Sequence, residues 1–285
     1  MVLLTKSRTE GLPEMQYKMV CLDIDGTLLN SEHKISHKTK KVIHDVAVHK
    51  KIPVILVSSR MPKGMLFLQK ELDITEPMVC YNGALIIDKD NAVLLNVTIP
   101  VFIAQQVYDI SKSLNVHLSI YKDDEWYIED MDEWAMQESA ITKAIPNIAQ
   151  FNELFNTWSD NNTGPNKFLC MGKPKDIKEV ERKLYEKLSY ELNIYESKLT
   201  YLEINHKNAS KTTSIDFLIK RFGIKKSEII AIGDNYNDID MLKYAGLGIA
   251  MGNAPNNVKK HADFITSTND EDGVACALKK FIFDE

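Results

Sequence analysis

The stretch Met19-Val-Cys-Leu-Asp-Ile-Asp-Gly-Thr27 decides the fold of this chain. Its first four residues are apolar and predict a short buried β-strand that runs directly into an acidic turn. Side chains two positions apart on an extended chain point the same way, so we expect Asp23 and Asp25 to face one edge of the sheet. Two carboxylates so close together repel each other unless a cation lies between them or they share a proton. Gly26 lets the backbone turn sharply and lets a ligand approach closely.

Strand and helix patterns alternate on the C-terminal side of this stretch. Ser36 predicts the N-cap of a first helix, and Gly64–Leu72 predicts a second helix. Between them, Pro53–Val57 is a nearly uniform apolar run, typical of a strand that is covered on both faces, and Met78–Tyr81 is a third predicted strand. An order of strand, helix, strand, helix and strand predicts a parallel sheet wrapped by helices.

The pattern changes after Asn82-Gly83. Ala84–Ile87 and Ala92–Ile99 flank a polar turn, which predicts a hairpin. Helices are then predicted at Val101–Leu114, Asp132–Ala144 and Pro174–Leu192, strands at His117–Tyr121, Trp126–Glu129, Lys167–Met171 and Leu199–Ile204, and a polar stretch at Asn156–Asn166. Hairpins mixed with helices indicate an α+β unit built on an antiparallel sheet.

The parallel pattern resumes near residue 206. The predicted helices are Thr212–Phe222, Asp238–Ala245 and Val274–Phe283, and the predicted strands are Ile229–Ile232, Leu247–Ala250 and Phe264–Thr266. We therefore predict an α/β fold with a Rossmann-like core and a parallel sheet at residues 18–83 and 206–285. An inserted α+β cap is expected at residues 84–205, and an N-terminal extension at residues 1–17.

The composition excludes several classes of protein. Of the 285 residues, 44% are hydrophobic and 26% are charged, which excludes an extensively disordered or collagen-like chain. Lys and Arg number 35 against 40 Asp and Glu, and the net charge of −5 lacks the basic footprint of a nucleic-acid binder. The sequence has no apolar stretch near the ~20 residues of a membrane span, and it has no CxxC pair for a zinc or thioredoxin-like site. We expect a cytoplasmic protein, a monomer or weak homodimer, with no nucleic-acid or membrane partner.

A second acidic cluster, Gly233-Asp-Asn-Tyr-Asn-Asp238, follows the predicted strand Ile229–Ile232. An ordinary explanation is that Asn237 or Asp238 caps the helix that follows. A cation site is the other explanation, and the two are compatible, because one loop can begin a helix and hold a cation.

The two acidic loops together predict a metal site. Ligands of open α/β sheets bind at the carboxyl ends of the strands, so we expect Asp23, Asp25 and Asp234 to form an all-oxygen cluster at that edge. Such a cluster suits Mg²⁺, a hard cation that keeps some of its waters.

A cation in an acidic pocket needs an anionic ligand to complete it, and two other segments provide donors for one. Ser58 and Ser59 end the second predicted strand with hydroxyls and backbone N–H groups. Lys211 opens the helix Thr212–Phe222, where its charge and the helix N-terminus both favour phosphate. Taken alone, these residues have ordinary explanations as a strand-end turn and a solvated lysine. Their order between the two acidic loops favours the phosphate site.

These segments together resemble the haloacid dehalogenase (HAD) superfamily, specifically its Cof-like phosphatases with a large inserted cap (class IIB). The resemblance covers about Tyr17 to Phe283. It rests on Asp23-Ile-Asp-Gly-Thr-Leu-Leu29, Val57-Ser-Ser-Arg60, Tyr81-Asn-Gly-Ala84, Lys211, Gly233-Asp-Asn-Tyr-Asn-Asp238, Gly248-Ile-Ala-Met-Gly-Asn-Ala254 and Ala262-Asp263. Any one segment is weak evidence, but the set in this order is highly specific. The resemblance implies a Mg²⁺-dependent phosphatase of small phosphorylated metabolites, with sugar phosphates as the leading class.

The resemblance also implies roles for single residues. Asp23 would attack phosphorus to form an aspartyl-phosphate, and Asp25 would be the general acid and base, with a backbone carbonyl that also meets Mg²⁺. The residues implied in phosphate or substrate binding are Gly26, Ser58, Ser59, Arg60, Asn82, Lys211 and Asn237, and those implied in metal binding are Asp23, Asp25, Asp234 and Asp238.

One motif departs from the family. The family usually has Thr-Gly-Arg where this chain has Ser58-Ser-Arg60. Ser58 keeps the hydroxyl, so phosphate binding is expected to persist. Ser59 replaces a glycine and adopts positive φ less freely, so a changed loop geometry is expected.

The cap is the expected specificity element, because the sheet edge recognises only phosphate and metal. Candidate substrate contacts lie in Asp123–Tyr127 and Asn161–Asn166. Trp126, Tyr127 and Trp134 are interpreted as part of the cap core rather than as a sugar-stacking platform. Hinges near Asn82-Gly83 and Asn205–Asn208 would let the cap close and exclude water.

Two alternatives to a phosphatase stay open. A phosphotransferase or sugar phosphomutase would use the same aspartyl-phosphate but pass the phosphoryl group to a hydroxyl, which product analysis distinguishes. A non-catalytic phospho-acceptor or ligand-sensing module of the response-regulator type also joins an acidic pair, a phosphorylated aspartate and a lysine. Such a receiver is shorter, lacks a cap and carries its phosphorylated aspartate on a later strand, so turnover is favoured.

Overall fold

A computed structural model describes residues 17–114 and 116–283. The predicted N-terminal extension at residues 1–17 lies outside the described residues except for Tyr17, which is partly buried against the main hydrophobic core. Among the described helices, none combines the length and the apolar character that crossing a membrane requires.

The first part of the core follows the predicted order of strands and helices. Its elements are β1 (Met19–Leu22), α1 (His37–His44), β2 (Val54–Leu56), α2 (Lys63–Leu72) and β3 (Met78–Cys80). Ser36 caps α1 as predicted, because its hydroxyl accepts a hydrogen bond from the Thr39 N–H at 3.0 Å. All residues of the three strands are buried, as expected of strands covered on both faces.

A hairpin and an inserted unit follow. The hairpin consists of β4 (Leu85–Ile87) and β5 (Val93–Asn96). The inserted unit contains α3 (Val101–Ser113), β6 (His117–Lys122), β7 (Glu125–Ile128), α4 (Glu133–Thr142), β8 (Asn147–Ile148), α5 (Phe151–Asp160), β9 (Lys167–Met171), α6 (Pro174–Leu188), β10 (Leu192–Lys198) and β11 (Tyr201–His206).

The second part of the core completes the chain. Its elements are α7 (Lys211–Phe222), β12 (Ile229–Gly233), α8 (Ile239–Tyr244), β13 (Leu247–Ala250), α9 (Asn256–Lys259), β14 (Phe264–Ile265) and α10 (Gly273–Ile282). Helix α7 begins with a capping box: the Ser210 side chain accepts from the Thr213 N–H, and the Thr213 side chain accepts from the Ser210 N–H. This box fixes the point at which Lys211 enters the helix.

The core sheet brings the two parts of the core together. Its order is β14–β13–β12–β1–β2, and every pairing is parallel. Strand β1 lies in the middle, with Cys21 in register with Ile55 of β2 and Ala231 of β12. The predicted α/β class with a parallel sheet is therefore confirmed. Because β1 and β12 are neighbours, the loops that follow them meet at the carboxyl edge, where ligands of such sheets bind.

The inserted unit is built on a six-stranded sheet with the order β10–β11–β9–β6–β7–β8. All its pairings are antiparallel except that of β7 with β8. Along β9, Phe168 and Cys170 belong to one hydrophobic cluster, and Leu169 and Met171 belong to another. This alternation is that of a sheet buried on both faces. One face packs on α3, α5 and α6, and the other belongs to the cluster that also contains the core.

The hairpin β4–β5 does not pair with the cap sheet, although the sequence analysis assigns it to the insert. Strand β4 pairs with β3, and Val57 and Val79 form a parallel bridge that joins β3 to the core beside β2. We therefore infer that the insert begins near Ile99, the first residue of the hydrophobic cluster around the cap helices. A hairpin pattern specifies its own two strands but not the sheet edge against which they pair.

Two elements of the cap differ from the sequence predictions. Helix α5 occupies part of the stretch predicted to be polar, and it buries Phe151, Phe155 and Trp158 at spacings of four and three. Strand β10 begins at Leu192, where the preceding helix was expected to end, and helix α6 already stops at Leu188. In both cases the apolar signal is short, and the tertiary packing decides the conformation.

Candidate active site

Lys211 joins three segments of the chain at the carboxyl edge of the core sheet. It is the first residue of α7 and is only 2% exposed. Its Nζ donates to Oδ1 of Asp23, in the loop after β1, at 2.5 Å and to Oδ1 of Asp238, in the loop after β12, at 2.6 Å. Both aspartates are buried as well. Stretches that are far apart in sequence therefore meet at one ammonium group.

Asp238 also holds the second acidic loop in shape. Its Oδ2 accepts hydrogen bonds from the backbone N–H groups of Asp234 at 3.0 Å and Asn235 at 2.9 Å. Asp238 occupies the N-cap position of α8, as the sequence suggests, but its side chain makes no capping hydrogen bond there. Asn235 caps the short 3₁₀ turn before α8, and the Asp238 side chain bonds back to Asn235. Asp238 thus ties the loop backbone to Lys211.

Three carboxylates form a group that can hold a metal ion. One oxygen from each of Asp23, Asp234 and Asp238 lies within 4.8 Å of the other two. The Thr27 hydroxyl donates to Oδ1 of Asp234 at 2.9 Å and orients that carboxylate. Three acids face a single ammonium, that of Lys211, so the cluster carries surplus negative charge when ionised. An all-oxygen donor set with surplus negative charge fits Mg²⁺.

Burial and the negative charges nearby disfavour ionisation of Asp23 and Asp234. Burial, reinforced by the charge of Asp238, raises the pKa of Asp234 to about 7. Burial also raises the pKa of Asp23 well above its usual range, although Lys211 opposes that shift. For Lys211, burial by itself lowers the pKa, but the charges of Asp23 and Asp238 outweigh burial and raise it. A cation among the acids would favour their charged forms.

Gly26 allows the two acidic loops to approach each other. Its φ is +79°, in the left-handed region, and a Cβ at this position would overlap the carboxylate of Asp234. The Asn253 side chain donates to the Gly26 carbonyl at 2.8 Å, which fixes the turn. A glycine is therefore required at the contact between the loops.

Asp25 lines the same cavity as Asp23 but has a different partner. Arg60 donates from Nε to Oδ2 of Asp25 at 2.8 Å and from Nη2 to Oδ1 at 2.6 Å, a bidentate pair. The Asp25 side chain is 50% exposed, against 9% for Asp23. Its carboxylate is not part of the group of three oxygens formed by Asp23, Asp234 and Asp238.

Ser58 and Ser59 follow β2 at the same sheet edge. Ser58 is buried, and its hydroxyl accepts from the Arg60 N–H at 3.2 Å. The Ser59 carbonyl accepts from Nζ of Lys167, a cap residue, at 3.0 Å. Ser59 is not among the described residues with positive φ, so the serine in place of the family's glycine introduces no left-handed strain.

Asn82 and Asn237 connect the core to the cap. Asn82 is buried; its Nδ2 donates to Oε2 of Glu203 at 3.0 Å, and its Oδ1 accepts from Nδ2 of Asn237 at 3.0 Å. Tyr81, Asn82 and Gly83 have φ values of 53°, 54° and 100°. At Gly83 a Cβ would overlap a backbone carbonyl at the start of α7. Backbone held in the left-handed region is strained, so this link adopts its shape only because the packing around it demands it.

A cavity of about 350 Å³ lies between the core and the cap. Asp23, Asp25, Ser58 and Asn237 line its core side. The residues of the cap that line it are Tyr121, Glu138, Ile141, Thr142, Lys167, Leu169, Ser197, Lys198, Tyr201 and Glu203. The sequence analysis names none of them as site residues. The period of two along a strand reveals which residues share a face, but it does not reveal which face meets the core.

The predicted substrate contacts in the cap have other roles. The turn at Asp123–Tyr127 fastens the cap to the core: Oδ1 of Asp124 accepts from the Lys63 N–H at 2.7 Å, at the start of α2. Asn166 is buried and supports the same turn, because its Oδ1 accepts from the Asp123 N–H at 2.7 Å. Neither stretch is among the described residues that line the cavity. Trp126 is 1% exposed, which confirms its interpretation as cap core.

Comparison with known proteins identifies this arrangement. Residues 20–278 match the family of haloacid dehalogenase-like hydrolases. A putative phosphatase from Haemophilus influenzae is 36% identical over 271 residues, which are 93% of this chain and 98% of the relative. The crystal structure of a haloacid dehalogenase-like hydrolase from Bacteroides thetaiotaomicron superposes with a TM-score of 0.84 at 31% identity, over 94% of this chain and 100% of that one. A subclass IIB sugar phosphatase of the superfamily superposes with a TM-score of 0.80 at 25% identity, over 93% of this chain and 98% of that one.

The fold and the site define a phosphoryl-transfer hydrolase, with an acidic cluster and a buried lysine at the carboxyl edge of a parallel sheet under a cap. The chain belongs to the haloacid dehalogenase-like hydrolases, among the phosphatases with the inserted cap of subclass IIB.

Proposed function

We propose that this protein is a Mg²⁺-dependent phosphatase that hydrolyses small phosphorylated metabolites, sugar phosphates foremost, through an aspartyl-phosphate on Asp23. One observation carries the proposal: Asp23 lines the cavity, is buried, is bound to Lys211 at 2.5 Å and is grouped with the carboxylates of Asp234 and Asp238. Hydrolysis of a phosphate monoester is so slow without a catalyst that charge stabilisation has to supply most of the acceleration.

The acidic group supplies the place for the cation. Asp23 and Asp234 would bind it through their carboxylates, and the backbone carbonyl of Asp25 would add a ligand. Asp238 already bonds to Lys211 and to the loop backbone, so we assign it to positioning these groups. Bound Mg²⁺ supplies Lewis-acid stabilisation of the phosphoryl oxygens and screens their charge from the nucleophile.

The first half-reaction transfers the phosphoryl group to the protein. A carboxylate oxygen of Asp23 forms a bond to phosphorus while the bond from phosphorus to the leaving oxygen breaks. Lys211 orients Asp23 and offers positive charge to the phosphoryl oxygens. Ser58 lines the cavity, and its hydroxyl donates a hydrogen bond to the same oxygens. Asp25, in its protonated form, gives its proton to the leaving oxygen.

Substrate binding has to change the partner of Asp25 for this step. A carboxylate whose two oxygens both accept from Arg60 carries no proton to donate. We propose that the incoming phosphate ester draws the Arg60 guanidinium toward its own oxygens and so releases Asp25. The half-exposed position of Asp25 permits this exchange.

The second half-reaction regenerates Asp23. Asp25, now ionised, takes a proton from a water molecule, the water oxygen bonds to phosphorus, and the bond from phosphorus to the Asp23 oxygen breaks. Inorganic phosphate then leaves. A phosphotransferase or phosphomutase would replace the water by a substrate hydroxyl and is the alternative to test.

The experiment is a phosphate-release screen over phosphorylated metabolites, with Mg²⁺ and with EDTA. We expect free phosphate from one or more sugar phosphates with Mg²⁺ only. Transfer of the phosphoryl group to a second metabolite without release of phosphate would support the phosphotransferase. A lack of Mg²⁺-dependent release over the whole panel would refute the phosphatase and favour a ligand-sensing role.

The sequence predictions on partners and location remain proposals. Cys21, Cys80 and Cys170 are buried and unpaired, which fits a reducing compartment, so we propose a cytoplasmic protein. A monomer or weak homodimer remains the expected oligomeric state, and gel filtration with light scattering tests it.

A further inference from the structure

One acidic residue of the cap lines the cavity and has a buried carboxylate oxygen without a hydrogen bond. Glu138 belongs to α4, lines the cavity and is 8% exposed. Its Oε2 is buried and accepts no hydrogen bond from any group in the described part of the chain. Buried carboxylate oxygens are nearly always hydrogen-bonded, because an unpaired one loses its hydration without compensation. Oε2 therefore has an open acceptor position for which the described part of the chain provides no donor.

The other buried charges of the cap wall already have partners in the protein. Lys167 lies 3.2 Å from Oε2 of Glu203 and donates to the Ser59 carbonyl at 3.0 Å. Glu203 also accepts from Asn82 at 3.0 Å. These contacts hold the cap against the core. Glu138 makes no such contact with the core through its carboxylate, so fastening the cap does not explain it.

The surroundings of Glu138 limit what the missing donor is. Burial raises the pKa of Glu138, and the charge of Glu203 adds to the rise. The charge of Lys167, a hydrogen bond from Tyr201 and the charge of Lys198 lower it, so Tyr201 serves the carboxylate while Oε2 keeps its free acceptor position. Two acids and two lysines thus share this wall. A cationic ligand group would be repelled by both lysines, and a second anionic group would be repelled by both acids. A neutral group that both donates and accepts hydrogen bonds matches such a mixed wall.

The apolar parts of the wall favour the same chemistry. The Tyr121 and Tyr201 rings border the cavity, and Nζ of Lys198 lies 4.5 Å from the centre of the Tyr201 ring. Rings beside charged groups suit a ligand with C–H faces and hydroxyl edges. The volume of about 350 Å³ is at the small end of the range for ligand cavities, which suits one monosaccharide-sized group beside a phosphate.

We propose that Glu138 is a specificity-determining residue that accepts a hydrogen bond from a hydroxyl of the leaving alcohol, and that it selects phosphate esters of polyhydroxylated alcohols. The inference rests on the proposed phosphatase function and adds the residue that reads the leaving group. Asp23 and Lys211 hold the phosphoryl end of the ester, and Glu138 contacts the alcohol end from the cap. A site built to pair with a hydroxyl rejects an analogue that lacks it, because its own buried group then stays unpaired.

The test compares leaving groups in matched variants. Wild type, Glu138→Gln, Glu138→Ala and the control Glu133→Gln are assayed for kcat and KM. The control removes one charge from an exposed position of the same helix. The substrates are hexose and hexitol phosphates, their singly deoxygenated analogues, and p-nitrophenyl phosphate, whose leaving group has no aliphatic hydroxyl.

Glu138→Ala is expected to lose about tenfold to a hundredfold more kcat/KM on a polyol phosphate than on p-nitrophenyl phosphate. Glu138→Gln, which keeps an acceptor oxygen, should lose less, and Glu133→Gln should follow the wild type. With wild type, one deoxygenated analogue should show a kcat/KM lower by the same factor. With Glu138→Ala that analogue should lose nothing more, since removing the hydroxyl and removing the carboxylate abolish the same contact. Equal losses on all esters, or no loss, would overturn the assignment of Glu138 and leave the phosphatase standing.

A binding experiment separates this proposal from the proposed function. Titration calorimetry with a hexitol phosphate and Mg²⁺ compares Asp23→Asn with Asp23→Asn/Glu138→Ala, neither of which has to turn over. We expect about tenfold or greater weakening in the double variant. If wild type releases phosphate from no ester, the phosphatase fails, and this titration still decides the role of Glu138. Equal affinities at unchanged thermal stability would overturn it.

Discussion

Replacement of Lys211 by Met tests the electrostatic reasoning of the site. The substitution keeps the length of the side chain and removes its charge. Lys211 is the ammonium that contacts Asp23 and Asp238 at 2.5 and 2.6 Å, and the side chain is 1% exposed. At an effective dielectric constant of 20, each contact contributes about 6 kcal/mol of gross attraction, most of which offsets the burial of the charges. Removal of one partner leaves buried carboxylates uncompensated, so the net loss should be about 3–5 kcal/mol.

The loss is measured as a shift in thermal unfolding. For a chain of this size, we expect the melting temperature of metal-free Lys211→Met at pH 8 to fall by about 10 °C. The control is Lys220→Met on the same helix, because Lys220 pairs with Asp216 at 2.6 Å but its side chain is 74% exposed. Such a surface pair contributes about 1 kcal/mol at most, so the control should move little.

Two conditions should reduce the difference in melting temperature between Lys211→Met and wild type. Between pH 8 and pH 5, Asp234, with a pKa of about 7, becomes neutral, and burial, which raises the pKa of Asp23, favours the neutral form of that acid as well, so the cluster needs less counter-charge. Excess Mg²⁺ at pH 8 replaces the lost positive charge. If Lys211→Met and Lys220→Met have the same melting temperature under all conditions, the buried acids do not depend on Lys211 and the reasoning is refuted.

Three further predictions concern the acidic cluster. Asp23→Asn should lower phosphate release by about 10⁴-fold or more, because it removes the nucleophile, while the circular dichroism spectrum stays that of wild type; wild-type-like turnover would contradict the assignment. Neutral Asp234 is favoured in the folded state, so its stabilising contribution is full below pH 4 and is lost as the pH rises through about 7. In EDTA, Asp234→Asn should therefore gain stability relative to wild type between pH 4 and pH 8, and a constant difference in unfolding free energy would contradict this. Gly26→Ala should cost about 1–2 kcal/mol through its left-handed φ and should weaken Mg²⁺ binding in calorimetric titration through the overlap with Asp234, whereas unchanged Mg²⁺ affinity would show that the loops yield.

The core elements and the acidic loops were within reach of the sequence. The apolar run of β1 with Asp23 behind it, and the run of β12 with Asp234 behind it, predict two strand ends, and the Ser210–Lys211 step is a recognisable helix start. Each signal is local, since it depends on side-chain periodicity and capping within a few residues. That the loops are neighbours follows from the parallel pairing of β1 with β12.

The cap residues that line the cavity could not be predicted from the sequence, for a physical reason. Glu138 lies on a helix without a clear apolar stripe, and Lys167 and Glu203 lie on strands that are buried on both faces. Local periodicity therefore does not distinguish the face that meets the core. The pairing of β4 with β3 was likewise beyond local patterns, because strand pairing is decided by contacts between segments and not within one of them.

The sequence by itself determines the class of this protein, its strand-end carboxylates and the helix that begins at Lys211, because these features are encoded within short windows of chain. Only the tertiary structure decides that Arg60 holds both oxygens of Asp25 and that Glu138 lines the cavity with a buried Oε2 that has no hydrogen bond among the described residues. These properties depend on burial and on contacts between residues far apart in the chain. Desolvation and charge pairing act through space, so a linear sequence does not display them.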